Sequence, residues 1–447
     1  MSIETQFNRP QEALFVKKER SKLLETLKVL PVLVCRKGQV KGNLMEEKLK
    51  HLRENMKSDV QILKHIIINE EKDISLLEKQ QAKAEAILLY RPHLGLGDCI
   101  IKISEFSLPT IIFNDGGLIC NPLDALEYIY PKENVWIAID YQDLNNYLTA
   151  ISTKKKLSQT KILILNADYP HWERFLCRIR GGQEAIKKKL GIDLEYVKSD
   201  DVINRWKNVD ERSASQLAKK WIKEAENIVG AEEKDAISVA RLYIVMKDLL
   251  KEKNAQALTM AYGDNPLPVP CVAYTNLRDE GIPAACEADI NSLLSMTIMH
   301  YVADKPSFMG NVFIDPADEN LIISHCVCPR KMQGYNTKPV PYMLRPYHTR
   351  KFTGSLTAFV KMKNGQEITL WRLSGDLKSM LITKGIIVDS VEYKGETYCR
   401  VKTKVKINNP RELVHKASGN HHVIVYGDYT EQLRKLNEIL GITTMEV

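Results

Sequence analysis

The stretch GIPAACEADI, residues 281–290, decides how the chain folds, because it is the corner between two apolar segments. A glycine and a proline open it, small residues follow, and two carboxylates, Glu287 and Asp289, stand just before the run NSLLSMTIMHYV (291–302). From Ile290 onward, Ile290, Leu293, Leu294, Ile298 and Tyr301 recur at steps of three and four, which predicts a helix buried on one face. Acids in the first turn favour the positive end of the helix dipole by about 0.3–1 kcal/mol each. Upstream, PCVAYTNL (270–277) is apolar and reads as a strand. Strand, corner and helix in that order form an α/β unit, and sites in such proteins lie at the carboxyl ends of strands. A carboxylate buried at that mouth needs a partner, and a metal ion is a common one.

Toward the N-terminus the same alternation repeats. LPVLVC (30–35) reads as a strand with helical flanks in a lysine-rich segment. KHIIIN, AILLY, PTIIFND and VWIAID read as strands, with helical patterns at DISLLEKQQAKA and YQDLNNYLTAIS. Short isoleucine- and valine-rich runs between helices indicate a parallel sheet. The basic stretch STKKKLSQ (152–159) reads as a spacer before a second start at TKILILNADYP, followed by helical patterns over 172–190, 213–229 and 235–254. Toward the C-terminus the character changes near residue 308. FMGNVFIDPADENLIISHCVCP reads as two strands about a turn, and GSLTAFVKM, EITLWRL, GIIVDSVEY and YCRVKTKVKI read as short strands of a small barrel or sandwich. A last helix is expected over YTEQLRKLNEILGI. The expected fold class is α/β, with two Rossmann- or flavodoxin-like parallel-sheet domains (1–157 and 158–335) and a β-rich, barrel-like domain with a terminal helix (336–447).

At 447 residues the chain is too long for one ordinary core, and 44% hydrophobic with 27% charged residues is the composition of a globular protein. No apolar run approaches the roughly 20 residues that span a bilayer, and the first residues lack the apolar core of a signal peptide. Nine cysteines, an odd and scattered number, read as reduced thiols of a cytoplasmic protein. The net charge of +8 is modest, and the lysine runs STKKKLSQTK and EAIKKKLG carry no interleaved aromatics, so they read as solvated faces and no nucleic-acid partner is expected. No GxxxxGK[ST] or GxGxxG occurs, and HLGLGD (93–98) is read only as a glycine-bearing loop.

Four places carry groups able to do chemistry: Glu287 with Asp289; His325, Cys326 and Cys328 in SHCVCP; Arg345 and His348 in LRPYH; and His421 with His422 in GNHHVIVYGD. Carboxylate plus imidazole suits a manganese- or zinc-class ion. A zinc site made by His-Cys-x-Cys alone is the rival reading. Its donors stand too close together to complete a tetrahedron without help from elsewhere, and the chain has no CxxC pair.

The order LRDEGIPAACEADINSLLSM, PSFMGN, SHCVCP, LRPYH, GNHHVIVYGD resembles the L-fucose isomerase and L-arabinose isomerase superfamily, in particular its compact fucose isomerase-like members. The resemblance covers most of residues 255–447, is looser over 60–250, and leaves the first 60 residues unplaced. It implies two Rossmann- or flavodoxin-like domains followed by a β-rich domain, a manganese-type divalent ion, and aldose–ketose interconversion through an enediol in a cleft between the second and last domains. It implies a sugar substrate and a homo-oligomer, trimer or hexamer, with neither nucleic acid nor membrane as partner. Carried over, Glu287 is metal ligand and acid/base, His421 and His325 are metal ligands, and Arg345, His348, His422 and Asn420 are candidates for substrate contact. The family's second carboxylate falls where this chain has Gly310 and Asn311. Asn311 therefore takes the second catalytic position, with Asp289 as substitute; asparagine coordinates through oxygen but does not shuttle a proton. The alternative this leaves is a metal- and sugar-binding protein without isomerase activity, or one with a different metal-dependent sugar chemistry.

Overall fold

The computed structural model describes residues 26–38, 44–56, 59–91, 96–113, 129, 134–168, 179–262, 266–348, 354–394 and 399–447. Contacts divide the chain into two compact units, Met1–Lys156 and Leu157–Val447.

The first unit is built on a wholly parallel sheet of β1 (Leu27–Val34), β2 (Val60–Ile62), β3 (Ile66–Ile68), β4 (Ala86–Tyr90), β5 (Thr110–Phe113) and β6 (Val135–Ala138). β2 and β3 pair in turn with the two ends of β1, and the order from that edge is β1, β4, β5, β6. Counting β2 and β3 as one interrupted edge strand gives the 2-1-3-4-5 order of a doubly wound sheet. Both faces are covered, so the strands read as near-continuous apolar runs, and AILLY of β4 is buried throughout. Leu30, Val32, Ile68, Leu77, Ile87 and Leu89 share one core, each contributing about 1.5–3 kcal/mol by leaving water. The basic stretch 152–159 is not a spacer. Its lysines form the end of the helix Tyr141–Ser158, where cations favour the negative end of the dipole.

The second unit begins with a parallel sheet of β7 (Lys161–Leu165), β8 (Asp193–Val197), β10 (Ala257–Met260) and β11 (Ala284–Ala285), ordered β11-β10-β7-β8. The helical pattern expected over 172–190 lies partly outside the described residues, as do the N-terminal helical flank, the first half of HLGLGD, and Cys120 and Cys177; the described helix is Gly182–Leu190. Helices Glu211–Glu224 and Glu233–Glu252 match the next two patterns, but the first stops short of 229 because β9 (Asn227–Ile228) follows it.

PCVAYTNL is a helix, Cys271–Asp279, and not a strand. Cys271, Val272, Ala273, Tyr274 and Leu277 are all buried, so the helix has no polar face and its sequence carries no 3.6-residue period. The helix Ile290–Ala303 is likewise buried nearly all round rather than on one face. It packs against β10 and β11 on one side and against β16 (Glu367–Leu373) and β19 (His421–Tyr426) on the other. Two of its hydroxyls are satisfied within the helix, Ser295 donating to Asn291 O (3.0 Å) and Thr297 to Leu293 O (2.7 Å).

The remaining strands are β12 (Phe308–Ile314), β13 (Leu321–His325), β14 (Tyr342–Pro346), β15 (Leu356–Val360), β17 (Ser379–Glu392), β18 (Val401–Lys406) and β20 (Thr443–Glu446). β12, β13, β18, β17, β16 and β19 pair in that order, and the β19–β12 pairing leads back round, making a closed antiparallel barrel of six strands, with β20 added parallel to β17. β12 and β13 are the hairpin expected at 308–325. GSLTAFVKM does not join the barrel; its strand β15 forms a separate sheet, β15-β14-β9. Among the described residues no helix is long and apolar enough to cross a membrane, and the described cysteines are unpaired.

Candidate functional site

The corner at 281–290 follows the helix Cys271–Asp279 and contains the short parallel strand β11, from whose carboxyl end residues 286–289 leave. Arg278, wholly buried, donates from Nε and Nη2 to Ala284 O (2.8 and 2.6 Å) and from Nη1 to Val327 O, tying helix, strand and the segment after β13 together. Burial pushes its guanidinium down to about 10. Directly beyond, Glu287 and Ala288 both adopt left-handed backbone, φ 60° and 51°, which costs a residue with a Cβ about 1–2 kcal/mol. The kink turns Glu287 into a cavity of about 210 Å³ while Ala288 and Asp289 stay buried.

Asp289 does two things. It caps the helix, accepting from Ser292 N (3.1 Å) and Ser292 Oγ (2.8 Å), and it accepts a 2.7 Å hydrogen bond from His421 Nδ1. Burial opposes its charge. The hydrogen bond and charge of His421, the Arg372 guanidinium and the Ser292 amide outweigh that and hold the carboxyl well below the usual carboxylate range. With Nδ1 committed, His421 presents Nε2 to Glu287, 3.8 Å from Oε2. From β13, His325 brings its Nε2 to 3.8 Å from Oε1 of the same carboxylate. The two imidazoles meet edge-on with centroids 5.3 Å apart.

His325 is only 1% exposed, and neither ring nitrogen has a protein hydrogen-bond partner. Burial and the neighbouring His421 push it down to about 3, so it is a neutral imidazole with a lone pair. A buried polar side chain left without a partner costs about 1–3 kcal/mol. Cys286, Glu287 and His325 each offer a donor atom within 4.8 Å of the others.

The other expected residues divide. Asn311 lines the cavity, opposite Ser324 on one neighbouring strand and His421 on the other. Its Oδ1 accepts from Asn420 Nδ2 at 2.6 Å, which leaves its amide NH₂ as a donor. Asn420 is therefore a support for Asn311. Gly310 is fixed by space: a Cβ there would stand 2.7 Å from Ile323 Cγ2 and 3.2 Å from Ser324 N and O. His348 lines the cavity. Arg345 is not among the lining residues and is paired with Glu392. His422, next to His421 on a strand, faces the opposite side of the sheet; its Nδ1 meets Asn420 O at 3.1 Å, and burial pushes it down to about 4. Sequence reasoning missed Tyr262, Tyr347, Cys271 and Cys399 as lining residues, and gave Cys286 and Cys326 no place beside the carboxylate. Only Cys286 and Cys326 carried a signal, as sequence neighbours of Glu287 and His325.

No family model matches the chain. The sulfoquinovose isomerase of Priestia aryabhattai is 24% identical over 306 residues, covering 65% of this chain and 65% of that protein. The sulfoquinovose isomerase of Alkalicoccus urumqiensis is 24% identical over 217 residues, 46% of this chain and 48% of its own. The chain thus spans less than two thirds of the length of these curated relatives. An arabinose-binding protein from Geobacillus stearothermophilus matches over 62% of this chain and 88% of its own at 14% identity, with a TM-score of 0.17, too low to bear on the fold.

Proposed function

We propose that this chain is a metal-dependent aldose–ketose isomerase of the fucose/arabinose isomerase type, acting on a sugar through an enediol. The observation that carries it is Glu287, turned by its left-handed backbone between His325 and His421 at the wall of the cavity. Relatives bearing the name sulfoquinovose isomerase support the reaction class.

The donor set fits a divalent ion. Glu287, His325 and His421 would hold it, since one carboxylate and two imidazoles suit a manganese-class cation and the lone pair of neutral His325, which meets no protein donor, suits a Lewis acid. Such an ion supplies stabilisation of the negative charge that builds on the sugar's carbonyl and neighbouring hydroxyl oxygens. Asp289 keeps His421 in the tautomer whose Nε2 faces the carboxylate. Among the described lining residues Glu287 is the carboxylate, and its side chain is 38% exposed to the cavity. It takes the proton from C2 of the aldose and returns it to C1, while the hydroxyl proton passes from O2 to O1. Asn311 donates a hydrogen bond to a sugar oxygen and transfers no proton.

The test is solvent exchange. Manganese-loaded protein is incubated in heavy water with sulfoquinovose, neutral pentoses, 6-deoxyhexoses and their ketoses, and deuteration at C1 and C2 is followed by NMR. The expected result is label with at least one sugar, falling about 100- to 10,000-fold in Glu287→Gln. Metal-replete protein that binds a sugar and returns it unlabelled would replace this reading with sugar binding or a different chemistry, to which the amide at 311 points.

A further inference from the structure

We infer that the same cavity holds a second metal site of different chemistry, in which Cys326, His348 and Cys399 bind a thiophilic divalent cation of the zinc class. The inference stands on side chains that the proposed reaction does not use. One donor atom from each of the three lies within 4.8 Å of the other two. Cys399 Sγ and His348 Nε2 are 3.9 Å apart. A tetrahedral ion with bonds of about 2.3 Å to sulfur and about 2.0 Å to nitrogen places its ligands roughly 3.5–3.8 Å from one another. The cluster therefore needs a contraction of no more than about 1.3 Å to close on an ion. Cys326 is buried at 1%, and its sulfur accepts the Arg400 amide at 3.4 Å, a contact that suits a thiolate.

The three donors come from separated places. Cys326 follows the end of β13, His348 follows β14, and Cys399 precedes β18, so the barrel and the small sheet assemble the set. All three line the cavity beside Glu287, which leaves the fourth position of a tetrahedral ion turned toward the cavity for water or a ligand oxygen. Two thiolates and an imidazole select zinc over manganese, whereas a carboxylate with two imidazoles is the harder set. The cavity thus offers two adjacent sites separated by ligand softness.

The test uses the full chain, reduced and first saturated with manganese, then titrated with cobalt(II) as a spectroscopic stand-in for zinc. The expected result is one equivalent of cobalt with a thiolate charge-transfer band and the intense visible bands of tetrahedral coordination, bleached by added zinc. In Cys326→Ser/Cys399→Ser the charge-transfer band is lost and cobalt binds at least tenfold more weakly. It persists in Glu287→Gln and in Cys286→Ser, so failure of the isomerase reading leaves this result untouched. His348→Ala, a single change at a partly exposed residue, retains the charge-transfer band but alters the visible bands, and it serves if the double variant does not fold. No charge-transfer band in the wild type, or a band lost in Cys286→Ser and kept in the double variant, overturns the second site.

Discussion

Asp289 shows how much one side chain settles. As a helix cap it is replaceable by asparagine, which serves that position about equally well. As the acceptor for His421 Nδ1 it is not, because a carboxylate raises the basicity of the imidazole more than a neutral amide does. Asp289→Asn is therefore expected to cost about 1–3 kcal/mol of stability, because its amide NH₂ replaces one of two buried oxygens that accept from Ser292 and His421, and to weaken manganese binding about 10- to 100-fold. Asp289→Ala loses both roles and costs a further 0.5–2 kcal/mol or so of stability. Thermal melts beside a manganese titration separate the two effects; equal metal affinity in both variants and the wild type would remove Asp289 from the site. The acidic cap was legible in the sequence, since an acid before an apolar helical run is a local signal. Its bond to His421 was not, because it joins residues 132 apart that only the barrel brings together. The left-handed backbone at 287–288 was equally hidden, as neither glutamate nor alanine advertises it.

At the level of elements, the hairpin of β12 and β13 and its pairing with β19 set the wall of the cavity. Gly310 permits the close approach of β13, and its missing side chain, more than its backbone freedom, is what the position requires. Gly310→Ala would set a Cβ against Ile323 and Ser324 and is expected to cost about 1–3 kcal/mol, read from the denaturant midpoint. Unchanged stability would show that the strands part without penalty. The same crowding explains why a carboxylate is not accommodated at 310 on this backbone, leaving position 311 to face the cavity. Hairpin and barrel strands were readable from alternation and turn residues. The helix from Ile290 was readable by its spacing, though its burial on nearly every side was not, whereas Cys271–Asp279 misled because all-round burial left no period by which a helix is recognised.

Across the second unit, the site draws Glu287 and Asp289 from the end of the parallel sheet and Asn311, His325 and His421 from the barrel. An ion bound there links both layers, so manganese at about 100 times its Kd is expected to stabilise the unit by about 2.7 kcal/mol. The melting temperature should rise accordingly, fall back with chelator, and stay flat in His325→Ala/His421→Ala; a rise of equal size in that variant would place the metal elsewhere. Motif order along the chain named Glu287, Asn311, His325, His348 and His421, which the structure brings near one another, but also Arg345 and His422, which it does not, and it did not point to the cysteines at the far wall, whose positions depend on loops. The barrel's pairing order also has a kinetic meaning. β19 follows all five other barrel strands in sequence, yet it inserts between β12 and β16. Until it arrives, two strand edges stand open to other chains, and closure joins segments more than a hundred residues apart, a topology that folds slowly and invites aggregation on the way. Because His421 begins that strand, the proposed metal centre and the closed barrel would come into being in one step.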